Sequence, residues 1–218
     1  MGTGEQKFLF VGNHLCLDFI NTQMIVRGEP IDGLEGFDDL VSWFVQARLL
    51  SRSQADKVGA ELTHGEMDLL LEQAKTLRTI LRGLAERITA GKSIPDSAIR
   101  TINQFLAHRS GYSQLVRMKG GFEQHFHSAA SPAQNILASL AEAAGDLLCR
   151  TDFALIKKCG NPACILYFYD TTKNHTRNWC SMQLCGNRMK VAAHYRRSRG
   201  QVSKRPQVEN SKTEEPVR

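Results

Sequence analysis

The chain of 218 residues holds six cysteines, four of them in two pairs, Cys159/Cys164 and Cys180/Cys185, with four residues inside each pair and fifteen between the pairs. Thiolates brought together two by two are the soft ligands that close a tetrahedral zinc site at about 2.3 Å. Gly160, Asn161 and Pro162 inside the first pair let the backbone turn tightly enough for amides to point at sulfur. Gly186 lies just after the second pair, and a helical-looking run, Asn187 to Arg199, follows. The spacing predicts one zinc ion held by Cys159, Cys164, Cys180 and Cys185. Two disulfides are the competing use of an even cysteine count, but they need an oxidising compartment and no secretory signal opens the sequence. Four protein ligands leave zinc no open position for water, so the expected metal is structural. With no glycine-rich phosphate loop and no nucleophile, base and acid at suitable spacing, an enzyme is not expected.

Charge is the second chemical feature. Between Lys157 and Arg205 eleven Lys/Arg face one acid, Asp170, whereas residues 1–156 hold 15 basic against 18 acidic residues. A basic end on a mildly acidic body attracts phosphate. On a helix, Arg188, Tyr195, Arg196 and Arg199 fall within about a 100° sector, with Lys190 and Arg197 roughly opposite. The candidate nucleic-acid contacts are Arg177, Arg188, Lys190, Arg196, Arg197 and Arg199, and the expected partner is DNA. An internal role competes. Zinc with four thiolates carries a net charge of about −2, which Arg177, Lys158 or Arg188 could offset by donating to sulfur. Arg188, three positions after Cys185, is the first candidate for that role, and Trp179 reads as packing rather than base stacking. A protein-interaction module with a purely structural finger is the alternative function, and a salt-sensitive DNA shift separates the two.

At these positions the chain resembles a known family. Trp179-Cys180-Ser181-Met182 followed by Cys185-Gly186-Asn187-Arg188 is similar to the signature of the CGNR zinc finger, found in bacterial proteins regarded as transcriptional regulators. Leu17-Asp18-Phe19-Ile20-Asn21-Thr22 resembles the opening of the ABATE domain that precedes this finger. Phe168 and Asp170 stand where the family has an aromatic residue and an acid. The resemblance covers the chain up to about Gly200 and implies a zinc-bearing DNA-binding end behind an N-terminal domain.

The elements that must position these residues begin with residues 7 to 20. This stretch is rich in Phe, Leu, Val and Ile around Gly12-Asn13 and reads as a strand pair or one bent strand. Asp18 and Asn21 end the run. Two roles are open to them: bonding nearby backbone in a turn, or lining a pocket for a small-molecule effector. Apolar residues from Phe37 to Leu49 recur at helical spacing, and Ser53 can cap a helix from Gln54. The longest periodic run, Met67 to Ile88, stops at Gly91, and Pro95-Asp96 open another helix. Gly120-Gly121 marks a hairpin within residues 112–128, with His125 and His127 on one polar face. Ser131-Pro132 opens a helix to about Arg150, and Cys16 and Cys149 read as small buried hydrophobes. Phe153 to Lys158 and Ile165 to Tyr169 read as a strand and its return around the first cysteine pair.

The fold class is therefore α+β: a mostly helical N-terminal domain with a small sheet over residues 1–151, a treble-clef-like finger with a basic helix over 152–200, and a polar, aperiodic tail over 201–218 expected to be disordered. No Gly/Ser-rich linker separates the first two, so they should pack together. No run approaches the roughly 18 apolar residues of a membrane span, and the expected location is the cytoplasm. The oligomeric state is left open between monomer and homo-oligomer.

Overall fold

A computed structural model describes residues 7–108, 111–129 and 135–202. The α+β architecture is as expected: seven described α-helices and three separate two-stranded antiparallel sheets. The helices are α1 (Leu15–Ile20), α2 (Phe37–Gln46), α3 (Arg52–Glu61), α4 (His64–Thr89), α5 (Asp96–Ala107), α6 (Ala138–Arg150) and α7 (Asn187–Val202). The strand pairs are β1 (Gln23–Val26) with β2 (Glu29–Asp32), β3 (Gly111–Met118) with β4 (Gly121–Ser128), and β5 (Ile156–Lys158) with β6 (Tyr167–Tyr169).

The body is organised around α1, which packs against α4, α6 and β6. This corrects the strand reading of residues 7–20. Cys16, Leu17, Phe19 and Ile20 are all buried, so apolar residues surround the helix without a period, and such a segment cannot be told from a buried strand by pattern. Its start is set locally: Asn13 takes a positive φ of 55°, His14 Nδ1 accepts from Cys16 N, and the Asp18 carboxylate accepts from Gly12 N at 2.7 Å. Gly12 has no room for a side chain, because a Cβ there would lie 2.8 Å from the Asp18 backbone nitrogen. Trp43 of α2 lies in the aromatic core, its ring 4.9 Å from Phe19, 5.3 Å from Phe44 and 5.9 Å from Phe10.

The β1–β2 hairpin escaped the sequence reading. Its two turn residues, Arg27 and Gly28, both adopt positive φ, the geometry that joins short hairpins. It is tied to α4 by an ion pair in which Arg78, 2% exposed, donates to both oxygens of the half-buried Asp32 and to the Thr22 hydroxyl. The cap of α3 is Ser51, with Gln54 completing the capping box, rather than Ser53. α4 ends before Gly91, whose φ of 63° suits its place past the helix. In the β3–β4 pair Met118 faces Gly121, so the turn is Lys119-Gly120, one residue earlier than Gly120-Gly121. The side chains of His125 and His127 and the residues of the Ser131-Pro132 start lie outside the described ones. Cys16 is buried as expected, but Cys149 is exposed, because the buried stripe of α6 runs through Leu140, Ala144 and Leu147. The N-terminal part of the 153–158 segment is a 3-10 turn, Phe153–Leu155, and only Ile156–Lys158 is strand. α7 runs on to Val202; the rest of the proposed tail, 203–218, lies outside the described residues. No described helix is long and apolar enough to cross a membrane.

The body and the cysteine-bearing segment share their cores. Ile156 and Tyr167 belong to the main apolar cluster, while Leu9, Val11 and Met24 pack against the cluster of Cys159, Cys164, Leu166, Phe168, Cys180 and Cys185. Hydrogen bonds cross between them at several places, among them from Asn13 Nδ2 to Tyr169 O at 3.1 Å and to the Thr171 hydroxyl at 3.0 Å. Asn21 bonds both backbone groups of Tyr167, Tyr169 N donates to Gly12 O at 2.7 Å, Arg82 donates to Ile165 O at 3.1 Å, and Arg177 donates to Val11 O at 2.7 Å.

Candidate metal centre

The first cysteine pair lies in the turn between β5 and β6. Cys159 N donates to Leu166 O, and Cys164 N donates to Asn161 O, both at 2.9 Å, which folds the clip back on itself. The second pair depends on a π turn, Met182–Gly186, in which Gly186 N reaches back five residues to Ser181 O. Cys185 lies within this turn, and the extended Ser181 at its N-cap leads in from Cys180. Cys180 and Cys185, so related, bring their sulfurs to 3.6 Å, and Cys164 and Cys180 lie 3.9 Å apart. A Cβ at Gly186 would sit 2.6 Å from Met182 Sδ and 3.1 Å from Trp179 Cδ1, so a larger residue there requires the exposed Met182 side chain to move.

All four thiols are buried and unpaired in disulfides, and their sulfurs lie within 4.8 Å of one another. Sulfurs about 2.3 Å from a tetrahedral zinc are themselves about 3.8 Å apart, so the spacing fits the ion. The cluster cannot ionise fully without a cation. Hydrogen bonds from the Cys164 and Cys180 thiols pull Cys159 down, and the same bonds push Cys164 and Cys180 up. Zinc supplies the charge that lets all four become thiolates.

Two further donors meet the sulfurs: Asn161 Nδ2 reaches Cys185 Sγ at 3.3 Å, and Cys180 N reaches Cys159 Sγ at 3.4 Å. Asn161 is 4% exposed, and the sequence showed it only as a turn former. Its amide also accepts from Ala163 N, so one side chain shapes the first clip and meets a sulfur of the second.

The cations are distributed differently from the sequence expectation. Arg177 points inward: Nε donates to Trp179 O, Nη2 donates to Val11 O and Cys180 O, and the guanidinium lies 4.1 Å over the Phe168 ring. Burial lowers its pKa, and the Cys180 thiol, Asp170 and Asp18 oppose that shift. Arg177 is thus the cation beside the sulfur cluster. Arg188 is exposed and has no hydrogen bond or ion pair among the described residues. Lys190, Arg196 and Arg197 are also exposed; the side chain of Arg199 lies outside the described residues.

Asp18 and Asn21 lie at the junction of body and cluster. Asn21 is fully buried, with Nδ2 donating to Tyr167 O at 2.8 Å and Oδ1 accepting from Tyr167 N at 2.9 Å. Neither residue lines the described clefts. Burial pushes the Asp18 carboxyl from 3.8 up to about 6, against the amides of Gly12 and Val11 and the charge of Arg177. A carboxyl raised on folding holds its proton more tightly in the native state. Its stabilising contribution is therefore present below about pH 4 and lost as the pH rises through about 6. Asp18→Asn should gain stability relative to the parent between those values. Denaturant midpoints for both proteins across that range check this, and a difference that does not change with pH would refute it.

A family model for the ABATE domain, described as "Putative stress-induced transcription regulator", matches residues 13–151, and a model for the CGNR zinc finger matches residues 156–198. No curated protein matches the chain. A clustered four-cysteine site within a matched zinc finger makes zinc the cofactor. With the first match covering more than half of its length, the chain belongs to the ABATE family and carries a C-terminal CGNR zinc finger.

Proposed function

We propose that the protein is a zinc-dependent DNA-binding transcription regulator that presents α7 to duplex DNA. The observation that carries this is the exposure of α7. A helix of a globular protein normally buries one stripe. Among its described side chains none is buried; Arg188, Lys190, Val191, His194, Tyr195, Arg196 and Arg197 are all exposed. Its main packing is against the π turn that starts it. From Asn187 to Val202 the helix has five Lys/Arg and no acid. A helix without a core face, held at its start by the metal centre, is free to enter a groove with cations toward both phosphate walls. Arg188 adds to this: a cation in the first turn of a helix opposes the macrodipole, and it has no internal partner to offset that cost. The match to a transcription-regulator family supports the same reading. Arg177, committed to backbone carbonyls, is not among the proposed contacts, and the proposal assigns no effector pocket to Asp18 and Asn21.

Contacts from Arg188, Lys190, Arg196 and Arg197 would give a slope of log K against log salt of about −3.6. The double variant Arg188→Ala/Arg196→Ala should weaken binding to every duplex and flatten that slope by up to about 2. Both residues are exposed, so zinc content and stability should stay within about 0.5 kcal/mol of the parent. Salt-dependent DNA affinity measured beside zinc content tests this. Equal affinity of variant and parent at every salt concentration would favour an interaction module with a structural finger.

A further inference from the structure

We infer that the loop 171–178, between β6 and the second cysteine pair, is a second contact surface for duplex DNA, meeting the phosphate backbone beside the groove taken by α7. The inference rests on the DNA reading above and extends it to residues outside the basic helix.

The loop is built around one buried carboxylate. Asp170 is fully buried, and its Oδ1 accepts from Thr172 N at 3.0 Å and from the Thr172 hydroxyl at 2.6 Å. Its Oδ2 accepts from Lys157 Nζ at 2.7 Å and from Arg177 N at 2.9 Å. The Lys157 ammonium also donates to His175 O at 2.6 Å, and His175 N closes on Thr172 O at 3.1 Å with its own φ at 50°. The inner side of the loop is thus fully bonded.

The outer side is the reverse. Lys173, Asn174, Thr176 and Asn178 are exposed, and their side chains make no hydrogen bond or ion pair among the described residues. They line a cleft of about 480 Å³ together with Trp179 and with Met182 of the π turn that starts α7. An ammonium, two amides and a hydroxyl are phosphate-oxygen donors, and the acid that anchors the loop, Asp170, is buried and paired. Polar groups held on a rigid base lose little freedom when they bind, which is what a phosphate clamp needs and what a plain connector does not.

The test uses the full, zinc-loaded chain and a short duplex of random sequence. Lys173→Ala should flatten the salt slope by about 1. Asn174→Ala/Thr176→Ala should weaken binding about threefold to tenfold on every duplex without changing the slope, the equivalent of one or two net hydrogen bonds. Zinc content measured in the same samples should equal the parent's. Lys173→Glu, at an exposed position, should lose more affinity than Lys173→Ala. If the loop variants bind as the parent does while Arg188→Ala/Arg196→Ala does not, this inference falls and the helix reading stands. If the parent shows no salt-dependent binding to duplex, or prefers the single strand, both fall.

Discussion

Stripping zinc from the protein is expected to melt the finger and to lower the stability of the helical body as well. From the sequence, chelation should unfold residues 153–200 and leave the body intact. The shared core changes that expectation. Structural zinc contributes about 10–16 kcal/mol of apparent binding energy, comparable with or larger than the whole stability of a typical domain, so the cysteine clips cannot persist without it. When they open, Ile156 and Tyr167 leave the main cluster, and Leu9, Val11 and Met24 lose the surface they cover. Two large apolar side chains at about 1.5–3 kcal/mol each put the loss to the body at about 3–6 kcal/mol. Thermal melts followed by circular dichroism, with and without chelator, should show the helical signal of α4 and α6 melting earlier in the metal-free protein. Cys185→Ser should reproduce the shift. A body transition that stays where it was would show that the junction contributes nothing to stability.

Asn21→Ala should be among the most damaging single substitutions outside the cysteines. The Asn21 amide bonds both the N–H and the C=O of Tyr167, standing in for the neighbouring strand that β6 lacks on that side. Alanine would leave both buried backbone groups without partners, at about 1–3 kcal/mol each, for a total of about 2–6 kcal/mol. Asn21→Asp keeps one acceptor but turns a carboxylate oxygen toward the Tyr167 carbonyl, so it should not rescue. Urea unfolding of the zinc-loaded proteins measures the difference. A cost below about 1 kcal/mol for Asn21→Ala would mean that water or a neighbouring group replaces the amide.

The same residue shows where sequence reasoning ends. Asn21 after an apolar run is compatible with a turn or a pocket, and nothing local distinguishes them, because its partner lies 146 residues away. α1 was hidden for a related reason: burial on every side erases the 3.6-residue period that revealed α2, α4 and α5. The hairpin β1–β2 was legible in principle from Arg27-Gly28, but its strands are short and half exposed, so no apolar alternation marks them. Cation roles were the least legible. Arg177 and Arg188 each stand three positions from a cysteine along the chain, yet the helix carries Arg188 outward, while the loop pinned by Asp170 folds Arg177 over Phe168 and toward the sulfurs.

By itself the sequence determined the metal, the family and the helical, basic character of the C-terminal end. Those depend on residue type and short spacing: soft thiols in pairs, a signature around Gly186, and a run of cations with no acid. Only the tertiary structure decided that the second clip contains a π turn, that the finger and body are joined through Asn21, Tyr167 and Gly12, and which arginine faces inward. Those depend on contacts between segments far apart in the chain, which a local pattern does not encode.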